Sequence, residues 1–77
     1  MGDGAPRRML IKRSFSLSGH RTSVALEPAF WDALTEIAQQ RGLSVAALVA
    51  EIDSARAPVQ PLTSALRVFA LQNLTRN

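Results

Sequence analysis

Two periodicities divide this chain. From Met9 to Leu26 apolar and polar side chains alternate, and from Pro28 onward apolar residues return every three or four positions. A period of two marks a strand with one buried face. In the first run Met9, Ile11, Phe15 and Leu17 are apolar, with Arg13 the exception, and Lys12, Ser14, Ser16 and Ser18 are polar. In the second, Thr22, Val24 and Leu26 fall on one side and Arg21, Ser23 and Ala25 on the other. Ser18-Gly19 between them is a hairpin signal. A two-residue turn there sets Phe15 opposite Thr22, Arg13 opposite Val24 and Ile11 opposite Leu26, all on the apolar side except Arg13, and a longer even-numbered loop keeps the same parity. A small basic and hydroxyl surface is left on the other side. Strands are therefore predicted within residues 11–27. The second strand needs a partner for its backbone groups, either the segment before it or a second chain.

The helical half begins at Pro28, which suits the first position of a helix because its missing N–H costs nothing there. Phe30, Trp31, Leu34, Ile37 and Ala38 form one stripe of a helix predicted over 28–41, and Gly42 closes it. Acidic residues early in it and Arg41 late suit the helix dipole. Ser44 caps a second helix, 44–56, whose apolar positions are Val45, Leu48, Val49 and Ile52. Ala57-Pro58-Val59-Gln60-Pro61 cannot continue it. A third helix, 62–75, carries Leu62, Leu66, Phe69, Ala70 and Leu74, widened by Val68 and Leu71, and is too apolar to stand free in solvent. The class is α+β, mostly α: an N-terminal hairpin or strand and three helices. They form one domain over 9–77 behind a flexible basic lead, 1–8.

Size changes the picture next. A chain of 77 residues buries only about 60 % of its unfolded surface, which leaves a lone domain marginal. There is no cysteine, so neither disulfides nor thiolate metal sites can supply the missing stability. At 47 % hydrophobic residues the chain has enough apolar surface for a core and an interface. Homodimerisation is the expectation. No apolar run is long enough to span a membrane, and Lys12 and Arg13 end the only signal-like stretch after three residues. A cytoplasmic protein without membrane contact follows.

Charge narrows the partner. Residues 1–22 hold five basic side chains (Arg7, Arg8, Lys12, Arg13, Arg21) against Asp3, a net +4, while residues 23–77 hold four basic and five acidic, a net −1. A basic ribbon on a near-neutral helical body suits a polyanion, nucleic acid before membrane.

The order strand, proline-opened helix, glycine turn, serine-capped helix resembles the ribbon-helix-helix superfamily of the Arc and methionine repressors. The residues that carry it are Arg21-Thr22-Ser23-Val24-Ala25-Leu26, Pro28, Leu34, Ile37, Ala38, Gly42, Leu43-Ser44, Leu48 and Ile52. The longer run from Lys12 to Asn77 resembles a small bacterial subgroup with an extra N-terminal strand and a C-terminal helix. The resemblance implies an intertwined homodimer, with Thr22, Val24, Leu26, Trp31, Leu34, Leu48 and Ile52 at its interface. It also implies a transcriptional regulator whose ribbon meets the major groove. Arg21, Ser23 and Ala25 would be the readers, and Ser44 and Val45 would hold a phosphate at the second helix's N-terminus. Lys12 and Arg13 would join the DNA contact. If the upstream strand pairs in the same chain, a dimer's ribbon becomes four strands wide. Contact with phosphates alone, or with another protein, then follows.

Other chemistry is thinly represented. His20 is the only histidine, and Ser16 or Ser18 beside it lack a third group to orient a nucleophile. Paired carboxylates, a glycine-rich phosphate loop and metal-ligand spacing are missing from the sequence. No enzyme and no cofactor are expected. The rival reading uses the same fold as an oligomerisation or protein-interaction module.

Overall fold

Ser18 and Gly19 both take positive φ, 53° and 81°. This is a type I′ turn, whose twist matches that of the strands it joins. The computed structural model describes residues 9–74, so the lead of residues 1–8 lies outside the described residues. Strand β1 (Ile11–Leu17) and strand β2 (His20–Leu26) pair antiparallel as a two-stranded sheet. Ile11 faces Leu26, Arg13 faces Val24 and Phe15 faces Thr22. The alternation in the sequence sets this register, because a slip of one residue would turn every apolar side chain to water. Phe15, Leu17, Val24 and Leu26 are buried, while Lys12, Ser14, Ser16, Arg21 and Ser23 are exposed.

Helix α1 (Pro28–Gln40) buries Trp31, Ala33, Leu34, Ile37 and Ala38. Gly42, at φ 71°, ends it. The Gly42 N–H donates to the Gln39 carbonyl at 3.1 Å and the Leu43 N–H to the Ala38 carbonyl at 2.8 Å. That pair of bonds satisfies two of the helix's last carbonyls and needs the left-handed residue between. The first turn holds no acidic residue. Asp32 and Glu36 stand too far along to serve the dipole there. Glu27 occupies the N-cap position without a side-chain capping bond, its carboxylate being held by Arg67 instead.

Helix α2 (Val45–Ala55) starts on Ser44, whose Oγ accepts from the Ala47 N–H at 3.0 Å. It buries Leu48, Val49 and Ile52. Helix α3 (Leu62–Leu74) buries Ala65, Leu66 and Ala70 and packs on α1, α2 and β2. Arg67 fastens it, reaching the Glu27 carboxylate at 3.0 Å and lying over the Phe30 ring. Arg41 lies over Phe69 and donates to Asn73 Oδ1 at 3.3 Å.

The core is continuous within one chain. Val24, Leu26, Trp31, Leu34, Leu48, Val49 and Leu66 are its largest fully buried side chains. Val24, Leu26, Trp31, Leu34, Leu48 and Ile52, expected at an interface with a second copy, are therefore covered by the chain itself, and Thr22 is half-buried. The physical reason is that β1 gives β2 its pairing strand while α3 covers the apolar faces of α1 and α2. Burial of these side chains needs no partner.

Candidate nucleic-acid interface

The turn fixes which backbone groups are used. A two-residue turn closes on a hydrogen-bonded pair, here Leu17 and His20, and hydrogen-bonded pairs then alternate with non-bonded ones along the ladder. The non-bonded pairs are Ser16 with Arg21, Ser14 with Ser23 and Lys12 with Ala25. Two consequences follow. These six side chains share the outward face, with opposite Cβ atoms about 4.5–5.5 Å apart. And the N–H and C=O groups of Arg21, Ser23 and Ala25 point away from β1, along the far edge of β2. Among the described residues nothing bonds to that edge.

The outward face is basic and short-chained. Lys12 and Arg21 are its cations, Ser14, Ser16 and Ser23 its hydroxyls, and half-buried Ala25 its one apolar member. No acidic residue occurs between Gly4 and Leu26. Along the strands Lys12 and Arg21 are four residue pairs apart, about 14 Å at the usual rise.

Of the residues expected to meet DNA, the structure gathers Lys12, Arg21, Ser23 and Ala25 on this one face. Arg13 is separated from them. It lies on the core side of the hairpin with its guanidinium 4.9 Å from the centre of the Trp31 ring. Parity decides this, since Arg13 occupies an inward position between Ile11 and Phe15. Ser44 and Val45 stand at the N-terminus of α2, Ser44 exposed and Val45 half-buried. The Ser44 hydroxyl already serves its own helix, which leaves backbone N–H groups of the first turn for an anion. His20 sits exposed beside the turn, opposite Leu17.

Three features were not legible in the sequence. Arg67 grips Glu27 across 40 positions of chain, a separation no local spacing rule reaches. The Trp31 Nε1–H donates to the Ile11 carbonyl at 2.8 Å, tying the start of α1 to the start of β1. An open groove of about 430 Å³ runs between α2 and α3, floored by Leu48, Ile52, Ala65 and Phe69. Val68 and Leu71 remain exposed on α3. A bond from its own backbone N–H, and after it the Arg67 guanidinium, hold the Glu27 carboxyl below the usual carboxylate range. Among the described residues no three His, Asp or Glu side chains converge as metal ligands, and no helix is long and apolar enough to cross a membrane.

Residues 10–74 match the ribbon-helix-helix domain. The chain belongs to the ribbon-helix-helix family. The matched residues take in all five elements, β1, β2, α1, α2 and α3. The solved structure of an uncharacterized protein from Bordetella pertussis Tohama I is similar, with 34 % sequence identity and a TM-score of 0.76. The match covers 91 % of this chain and 59 % of that one, so this chain spans little more than half the length of the relative. No curated protein matches. Ribbon-helix-helix domains are typically non-enzymatic, DNA-binding regulators that act as dimers.

Proposed function

We propose that this ribbon-helix-helix chain is a DNA-binding transcriptional regulator that works as a homodimer, with the outward face of its hairpin toward the duplex. The observation that carries this reading is the segregation of charge. Lys12 and Arg21 stand with three serines on one exposed face that has no acidic neighbour in the strands. Such a face attracts a polyanion and gains by releasing its counterions. Family membership makes DNA the first polyanion to test.

The open edge of β2 supports the dimer. A strand edge with unpaired donors and acceptors is a template for another strand. The outer edge of β1 is protected by Lys12 and by the inward-pointing charge of Arg13, two devices that discourage pairing. The edge of β2 presents only Arg21, Ser23 and Ala25. Two copies joined there form a sheet in the order β1, β2, then the partner's β2 and β1. The first-turn N–H groups of α2, beside Ser44 and Val45, add a phosphate contact at the helix's positive end.

The test is anisotropy of a labelled random-sequence duplex at rising salt, together with light scattering of the free protein. A dimer whose affinity falls steeply with salt, and falls further on Arg21→Ala, supports the reading. A monomer indifferent to DNA at low salt excludes it. A second reading has its own observation, the exposed Val68 and Leu71 on α3 beside the groove. They favour an oligomerisation module. Species larger than a dimer, with no duplex bound, would select it.

A further inference from the structure

We infer that the DNA contact is a pair of composite cation sites, each made by Lys12 of one chain and Arg21 of the other, facing each other across Ala25. This rests on the dimeric DNA-binding reading above and adds the arrangement of the charges, which neither chain holds alone.

Register decides the arrangement. On β2 the free backbone groups belong to Arg21, Ser23 and Ala25, so the middle of the open edge is Ser23. An antiparallel pairing of two identical edges has its two-fold axis at that middle. It sets Ser23 against Ser23 of the partner subunit and Arg21 against the partner's Ala25, and forms about six hydrogen bonds between chains. Parity holds, because these residues share the outward face in each copy. Shifting the register by two residues keeps the parity but leaves bonding groups at each end without partners.

Reading across the four strands then gives three rows. The central row is hydroxyl throughout, with Ser14 and Ser23 from each chain. In each outer row Ala25 stands between its own chain's Lys12 and the partner's Arg21. Their Cα atoms are two strand spacings apart, about 10 Å. Both side chains are long enough to converge above a methyl group, and only a small residue at Ala25 leaves them room. Two like charges brought together without a counter-ion repel, so the arrangement favours an anion with oxygens to share, such as a backbone phosphate. The two sites lie about 14 Å apart along the strands. The major groove of B-form DNA is about 12 Å wide. A four-stranded face too broad to enter the groove can therefore lie over it and hold phosphates on both walls.

The arrangement separates two cases by experiment. Within one chain Lys12 and Arg21 are too distant to interact, and losses from well-separated sites multiply independently. Across the dimer they share one phosphate, and the losses are coupled. Affinity of the full chain for a random-sequence 20-base-pair DNA duplex is measured for wild type, Lys12→Ala, Arg21→Ala and the double variant, with circular dichroism confirming each fold. The double variant is expected to fall short of the product of the two single losses by at least threefold. Ser23→Cys, the only cysteine in such a variant, is expected to crosslink two chains on oxidation. Independent losses, or no crosslink in a protein that binds DNA, overturn the composite site and leave the DNA reading standing. Binding to duplex RNA as tight as to DNA also overturns it, because the A-form major groove is deep and narrow. If the wild type binds no duplex at low salt, the reading beneath fails instead.

Discussion

Arg13 and Trp31 are stacked, the guanidinium 4.9 Å from the ring centre on the side of the hairpin that faces the helices. The same indole donates its N–H to the Ile11 carbonyl, so one aromatic ring fastens both the backbone and a side chain of β1. The cation is thereby committed to the fold. Arg13 is itself exposed, so Arg13→Ala is expected to cost about 0.5–1 kcal/mol of stability. It should leave the slope of DNA affinity against salt unchanged, whereas Arg21→Ala should make that slope shallower. Denaturant melts and a salt titration of each variant check the contrast.

Leu66 lies fully buried in α3 among residues of the other elements. Because α3 covers α1 and α2, truncation at this point opens the core rather than a surface. Leu66→Ala is expected to lose about 2–5 kcal/mol, read from urea unfolding. A loss below about 1 kcal/mol, well under the range for a buried leucine, would show that α3 is not part of the folded core.

Ser44 offers a smaller and cleaner test. Its hydroxyl accepts from the Ala47 N–H, the one bond it makes among the described residues. Ser44→Ala should cost about 1 kcal/mol. Ser44→Asp should keep the cap but weaken DNA binding by repelling a phosphate at the same helix end. Equal DNA affinity for Ser44→Asp and wild type would remove this terminus from the interface.

Glu27 joins the end of β2 to α3 through Arg67. Its carboxyl is held below the usual range by its own backbone N–H and then by Arg67. A folded pKa below the unfolded one stabilises the fold at neutral pH, and that contribution fades as pH falls through the lowered value. Glu27→Gln should therefore melt lower than wild type at pH 7, with the gap closing below about pH 4. The exposure of this pair keeps the gap small. A gap independent of pH would assign the effect to packing of Arg67 on Phe30 instead of to the ion pair.

The strands and the parity of the hairpin were legible in local pattern, since a period of two on both sides of Ser18-Gly19 keeps Phe15, Val24 and Leu26 on one face, and the positive φ of Ser18 and Gly19 decided the two-residue turn. The helices were equally legible, since Pro28, Gly42, Ser44 and Pro58 punctuate stripes that repeat every three or four residues. Local pattern also placed the basic and hydroxyl side chains on one face. What covers the apolar stripes was not local. Trp31, Leu34 and Leu48 could have met a second chain as readily as their own, and hydrophobicity has no direction by which to choose. Tertiary structure chose, by folding α3 back under the Arg67–Glu27 pair and by turning the inward Arg13 onto Trp31. Both contacts join residues far apart in the chain, and their formation depends on the closure of the whole fold rather than on any neighbouring sequence.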